Sequence, residues 1–376
     1  MSRIAVLNAG SATLKGAVVE VDGVKVRTSL RRSRPLATRD RAEEDFDALL
    51  EELLADLPPS AIDGFAHRVV HGGAGLQESV YVDAGVEATI EELCVAAPLH
   101  NPLALAGIRA ARRRAPACPQ LAVFDTAFHA GREPASFAYP LPAALCEELG
   151  LRRTGFHGIA HAALMEALAA AEGIASREVT AVTLQLGGGC SACAISQGRS
   201  IETSMGLSPL GGLPMGTRSG DLDPAVVLAL VRHAGDPDEV ERLLTHESGL
   251  EGLCGSSDMR DVLAAEARGD ERAALAVAVF VRSLVCSIGA YLTLLSGEGA
   301  IVFGGGIGAG SSEIRARVAE GLGVFGVALD EARNRRLPYG RISREGTRPV
   351  FVFETDEEQL IAREADSLLR GEGRRR

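Results

Sequence analysis

Three short glycine- and serine-rich stretches follow apolar runs, at residues 8–13, 187–191 and 304–310. Turns of this kind present backbone N–H groups with no side chain in the way, which suits the oxygens of a phosphate. The first leads straight to Lys15; Lys15 and Lys25 are the only lysines among 39 cationic residues. None of the three has the G-x-x-x-x-G-K-[ST] spacing of a P-loop. The stretch at 304–308 lacks the G-x-G-x-x-G pattern and acidic partner of a dinucleotide fold, and no G-x-S-x-G nucleophile elbow occurs. Five other segments mix polar residues with loop-formers: 67–73, 98–102, 124–129, 155–158 and 215–221. Singly, each reads as an ordinary turn. Together they supply Arg68, Arg218, several imidazoles and several carboxylates. That inventory suits an anion handled beside Mg²⁺, which prefers oxygen ligands, and suits tetrahedral zinc poorly.

The elements that must position these groups are legible in the periodicity. Residues 3–7 form a β-rich apolar run, broken by the first glycine stretch and resumed at 14–21; Asp22-Gly23 reads as a hairpin turn into a third strand from Val24. The same events recur half a chain later. A strand at 179–186 meets a small-residue turn at 187–191, a strand follows at 192–196, and Gln197-Gly198 turns into a third at 199–203. Two such units indicate an internal duplication. Helical spacing of apolar residues marks 43–57, 103–114, 160–172, 224–233, 239–244 and 272–295. A strand is expected at 300–303, a glycine turn after it, a helix from near Ser311, a last strand at 349–353 and a closing helix at 358–369. The arrangement implies an α/β protein of two duplicated domains with a cleft between the halves.

Composition narrows the function classes. The chain has 376 residues, enough for two or three domains at ~150 residues each. Apolar residues make up 46% and charged residues 24%, an ordinary globular balance that excludes wholesale disorder or a fibre. A net charge of −11 argues against a grip on nucleic acid or anionic lipid. The longest clean apolar stretch, 273–281, ends at Arg282, short of the ~20 residues of a membrane span. The first apolar run stops at Asn8, so no signal peptide is expected. Seven cysteines, an odd count, point to reduced thiols in a cytoplasm; Cys190 and Cys193 form a lone C-x-x-C that reads as packing. Residues 112–114 read as a solvated helix face and 371–376 as a frayed tail.

The stretch Asn8-Ala9-Gly10-Ser11-Ala12-Thr13-Leu14-Lys15 resembles the opening signature of the acetate kinase family, and GLSPLGGLPMGTRSGD at 206–221 resembles its second signature. HRVVHGG, PLHNP, FDTAFH, GFHG, SSDMRD and the closing TDEE at 355–358 follow the family in order across nearly the whole chain. The resemblance implies the actin-like ATPase (ribonuclease H-like) superfamily: an N-terminal domain over 1–150 completed by a C-terminal helix at about 358–371, a nucleotide-binding domain over 151–357, and a tail at 372–376. It further implies a Mg²⁺-dependent homodimer, Mn²⁺ being the alternative metal, that interconverts acetate plus ATP with acetyl phosphate plus ADP by direct in-line transfer. Asp125, His157 and Arg218 take the family's catalytic positions. Arg68 takes the carboxylate-binding position, and Val70, Leu99, Phe156 and Pro209 the apolar pocket for the substrate methyl. Lys15, Gln185, Leu186, Gly187, Gly188, Gly189, Asp258, Met259, Arg260, Gly306, Ile307, Gly308, Ala309 and Gly310 match nucleotide-contacting positions. Asn8 and Glu357 match the magnesium site. Our physical expectation for Asp125 is that it orients Arg218 or the metal shell.

Three departures stand out. The family's usual His-Leu-Gly-Asn-Gly is Gln185-Leu186-Gly187-Gly188-Gly189 here, and its Gly-Ile-Gly-Glu-Asn is Gly306-Ile307-Gly308-Ala309-Gly310. Ala12-Thr13 stands where Ser-Ser is common. The backbone amides survive these changes, so the expectation is retained phosphate cradling with weakened nucleotide discrimination. The alternatives are a propionate or butyrate kinase, another phosphoryl donor such as pyrophosphate or a different nucleoside triphosphate, and a non-catalytic actin-like nucleotide-binding protein.

Overall fold

The computed structural model describes residues 1–10, 13–23, 25–38, 41–336 and 339–372; Ser11, Ala12, Val24 and the last four residues, on which expectations above fall, lie outside them. The chain divides into two compact units. The first comprises Met1–Ala130, His157–Ala162 and Asp356–Arg376, and the second Gly131–Phe156 and Ala163–Thr355.

The first unit is built on a six-stranded sheet of β1 (Ser2–Ala9), β2 (Thr13–Asp22), β3 (Lys25–Pro35), β4 (Gly64–Val69), β5 (Val80–Tyr81) and β6 (Gln120–Phe124), in the order β3-β2-β1-β4-β6-β5. β1, β2 and β3 are antiparallel neighbours, whereas β4 and β6 run parallel to β1. The central strands are buried along most of their length, so they read as continuous apolar runs rather than alternating ones. β3 alternates and is rich in arginine, as an edge strand that must not pair further should be. The helices Ala42–Leu53 and Asn101–Arg114 supply Phe46, Leu49, Leu50, Leu53 and Leu103 to a core shared with Leu7, Leu14 and Phe65. A Cβ on Gly16 would sit 3.1 Å from the Leu53 Cδ2 atom, so its absence lets that helix approach β2. The closing helix Glu357–Leu369 packs against β1, β2, β4 and β6.

The second unit repeats the plan with β7 (Ala181–Leu186), β8 (Cys190–Ser196), β9 (Arg199–Thr203), β10 (Ala300–Gly304), β11 (Gly340–Arg341) and β12 (Val350–Val352), ordered β11-β12-β10-β7-β8-β9. β7, β8 and β9 are antiparallel neighbours, β10 and β12 run parallel to β7, and a short antiparallel strand closes the far edge. Both sheets thus have one connectivity, and the duplication read from the sequence is a duplicated six-stranded α/β fold. Gln197 and Gly198 both take positive φ, +48° and +72°, which is the backbone of the tight hairpin between β8 and β9.

Several local expectations are corrected. Cys190 and Ser191, read as turn, are the first residues of β8. Residues 305–310, read as a turn, are helical. The helix expected to 57 ends at Leu53. The sequence reading missed β4 and β6 as strands, because their polar ends masked short buried runs. Counter to the expectation from the longest apolar run, the helix Glu271–Leu294 is long and apolar enough by length and composition to cross a membrane, with a mean hydropathy of 2.0 over an 18-residue window. Its Phe280, Leu284, Ile288 and Leu292 are buried inside the second unit.

Candidate active site

β1, β4 and β6 are adjacent and parallel, so their C-terminal ends lie together, which is where open α/β sheets place ligands. Asn8 stands near the end of β1, Arg68 near the end of β4, and Asp125 directly after β6. Arg68 donates from Nε (3.0 Å) and Nη2 (2.5 Å) to Asp125 Oδ2, and from Nη1 (3.1 Å) to Asn8 Oδ1. The Asn8 amide in turn donates to Glu357 Oε2 (3.1 Å) and Glu358 Oε1 (3.2 Å) at the start of the closing helix. One guanidinium therefore ties three strand ends and a helix start together. Lys15 is the cross-strand partner of Asn8 in the β1–β2 register and is solvent-exposed.

Charge sets the protonation of this group. Burial and the Glu357 carboxylate push Asp125 above the ordinary carboxyl value, against the pull of Arg68. Burial would also raise Glu357, but Arg68, then His157, the Asn8 hydrogen bond and Lys15 outweigh it and hold Glu357 below its ordinary value. The Arg68 guanidinium is pushed upward, because its carboxylate neighbours more than offset its burial. Asp125 Oδ1 is buried and takes no side-chain donor among the described residues. The side chain that Asp125 holds within this unit is thus Arg68.

His157 takes φ +58°, an uncommon backbone for a residue with a side chain. Two contacts impose it: the Gly158 amide donates to the Asp125 carbonyl (2.9 Å), and the His161 amide to the His157 carbonyl (2.9 Å). A Cβ on Gly158 would lie 2.1 Å from the Asp125 carbonyl oxygen, so only glycine allows this approach. Val70 is buried just beyond β4, and Leu99 is half-buried. Asn101 links their two segments: its Oδ1 accepts from the His71 amide (3.1 Å) and its Nδ2 donates to the His71 carbonyl (3.0 Å). Thr126 Oγ1 accepts from the Gly72 amide (3.1 Å) and fastens the third segment. Glu358, Asn101 and Thr126 were not singled out from the sequence; their motif membership was visible, but their partners were not.

In the second unit the glycine stretch after β7 and the start of the helix Gly305–Gly310 touch, with Gly306 N 3.7 Å from where a Gly187 Cβ would stand. Gly188 and Ser257 flank Gly216 in the same way, at 3.7 and 3.1 Å. Gln185 Oε1 accepts from Thr355 Oγ1 (3.0 Å), which accepts in turn from the Gly305 amide (3.2 Å). The side chain that replaces the family's usual histidine is therefore engaged with Thr355. Gly308 packs on Leu186. Asp258 caps the helix Met259–Ala267 and pairs with Arg260, whose side chain is 90% exposed, while Met259 is buried in the core. Beside Arg260 the Asp258 carboxyl drops to about 2.

Arg218 sits on a loop clamped from 244 to 251, with Ser219 N donating to the Leu244 carbonyl, and Ser248 N and Leu250 N to those of Thr217 and Met215. Gly249 (φ +62°) is required there, since its Cβ would lie 2.2 Å from the Met215 carbonyl. Arg218 Nη1 donates to the Pro209 carbonyl (3.2 Å), and burial pushes its pKa down. No ion pair to Arg218 occurs among the described residues. Pro209 is half-buried and Phe156 buried. The described residues include no cluster of three or more His, Cys, Asp or Glu side chains suited to a metal.

Residues 26–363 match the acetokinase family. The acetate kinase of Leifsonia xyli is 43% identical over 390 residues, covering 97% of this chain and 98% of that protein. The acetate kinase of Pseudarthrobacter chlorophenolicus is 41% identical, over 99% of this chain and all of its own. The crystal structure of Porphyromonas gingivalis acetate kinase superposes with a TM-score of 0.88 at 30% identity, covering 98% of this chain and 100% of that one. A propionate kinase from Francisella tularensis superposes at 0.87 and 33% identity, over 97% of this chain and 99% of that one. With the family matched over most of its length and full-length relatives above 40% identity, this chain belongs to the acetokinase family.

Proposed function

We propose that this chain is an acetate kinase, transferring the γ-phosphoryl group of ATP reversibly to acetate to give acetyl phosphate and ADP. The observation that carries the reading is the guanidinium-centred group Asn8–Arg68–Asp125–Glu357 at the ends of parallel strands, in a chain of this family. Acetate is ionised at neutral pH, so its attack on phosphorus calls for no general base. The difficulty is bringing one anion up to another, which positive charge and positioning must overcome. Arg68 and Arg218 are both cationic at neutral pH; Arg68 is paired with Asp125, and Arg218 supplies a second fork with no ion pair among the described residues. His157, held in its strained backbone, serves as a further donor to the transferring group. Asp125 holds Arg68 in orientation and does not act as the base.

Mg²⁺ fits the residues present. Asn8 and Glu357, with the Asp125 carboxylate beside them on Arg68, would supply the hard oxygen donors that this ion prefers. When bound, the ion would neutralise phosphate charge. The glycine stretches at 187–189 and 306–310 serve the nucleotide, and buried Val70 with half-buried Leu99 serves the methyl group within the first unit. The homodimer is part of the same reading, supported by the helix Pro224–Ala234, which is apolar over most of its length and has no buried residue in the single chain. A cytoplasmic location is supported by seven cysteines that all stand as free thiols.

A propionate kinase is the second reading, favoured by the Francisella likeness. One methylene shifts discrimination by only ~1–3 kcal/mol, so propionate should react, less well than acetate. Hydroxamate trapping of the acyl phosphate with acetate, propionate and butyrate, each with ATP and Mg²⁺, decides between them through kcat/KM. Nucleotide binding without acyl phosphate from any of the three acids would overturn both readings.

A further inference from the structure

The helix Gly305–Gly310 reads GGIGAG, with glycine at four of its six positions. Glycine is among the poorest helix formers, so the segment has little reason of its own to be helical. It is held from outside. At its start the Gly305 amide donates to Thr355 Oγ1. At its end Arg315, on the helix Ser312–Gly321, donates from Nη1 to the carbonyls of Gly308 (2.9 Å) and Ala309 (2.8 Å). The rest of the guanidinium is taken by Asn334: Nε donates to its Oδ1 (2.8 Å) and Nη2 to its carbonyl (2.6 Å). Asn334 Nδ2 then donates to the Ser312 carbonyl (2.8 Å), which fixes the amide itself.

Arg315 and Asn334 are each only 5% exposed, and no ion pair to Arg315 occurs among the described residues. Burying a cation with no ion pair among the described residues is costly, and here carbonyl and amide oxygens take every hydrogen bond that Arg315 is seen to donate. Its neighbours are carbonyl dipoles, including those at the negative end of a short helix, which a fixed cation complements. Burial lowers the guanidinium to about 10, still protonated at neutral pH. Ala309 and Gly310 have no polar side chain with which to anchor the segment locally.

We propose that Arg315, locked by Asn334, is a positioning residue for the phosphoryl donor: it fixes the carbonyls of Gly308 and Ala309, so that the glycine helix keeps one conformation for the nucleotide. The proposal rests on the reading of residues 306–310 as nucleotide contacts. It is tested in the full-length enzyme with Arg315→Lys, which keeps the charge but loses the planar fork, and with Asn334→Ala, which frees the fork. Hydrogen–deuterium exchange of the 304–311 peptide without ligand is read beside steady-state kinetics. The expected result in both variants is faster exchange there and a KM for ATP raised about tenfold, the loss of one charged hydrogen bond, with kcat and the KM for acetate near wild type. Unchanged exchange in folded variants overturns the positioning role and leaves the nucleotide reading intact. Faster exchange with an unchanged KM for ATP overturns the nucleotide reading of 306–310 and the proposal with it.

Discussion

Removing the charge at Arg68 tests the centre of the site. In Arg68→Met, Asp125 loses both Arg68 donors to Oδ2, and Asn8 Oδ1 loses a third contact. Asp125 is 1% exposed and the Arg68 side chain 12%, so water does not readily replace the lost donors. Leaving one member of a buried pair uncompensated costs ~3–5 kcal/mol. For a unit of this size each kcal/mol moves the midpoint by ~2–4 °C, so a drop of roughly 6–20 °C is expected. Adding Asp125→Leu removes the stranded carboxylate, and the double variant should recover at least half of that loss. Calorimetry on wild type, both single variants and the double variant gives the coupling directly. Equal midpoints for Arg68→Met and the double variant, with coupling below ~0.5 kcal/mol, would show that the two groups are not an interdependent buried pair. Turnover should fall by ~10³-fold or more in Arg68→Met and should not return in the double variant, because the lost cation is the catalytic element.

Other outcomes follow from the same geometry. His67 is buried with Nε2 on Gln120 Oε1 (2.7 Å), and burial lowers it from 6.5 to about 4. The fold favours the neutral ring, so its contribution is complete above about pH 6.5 and is lost as pH falls toward 4, by ~3 kcal/mol in all. Urea unfolding between pH 7 and 4 should therefore show a steeper loss in wild type than in His67→Gln, and parallel curves would refute the assignment. Arg218→Ala should reduce kcat by ~10³–10⁵-fold while the chain stays folded; near-normal turnover in a coupled assay would remove Arg218 from the catalytic set. With Gln185 engaged by Thr355 and no polar side chain at 309 or 310, kcat/KM for ATP, GTP and ITP should lie close together. A strong preference for ATP would contradict that expectation.

Much of the architecture is written in local chemistry. The two strand–turn–strand units stand out because β-forming runs and glycine turns alternate over short distances, and both became three-stranded antiparallel arms. β4 and β6, which carry Arg68 and lead to Asp125, escaped notice because a buried parallel strand that ends in polar residues has no alternation to detect. Residues 305–310 were read as a turn because glycine marks flexibility, whereas Arg315 and Thr355 impose a helix from outside.

Residue types, their order along the chain and the duplicated fold were settled by the sequence itself, since short-range periodicity and turn chemistry act between neighbours. Only the tertiary structure decided which group holds which. Asn8 meets Glu357 and Glu358 across 349 and 350 residues, and Asp125 holds Arg68 across 57. No local pattern encodes such pairings, because they arise where parallel strands end together and a closing helix begins beside them.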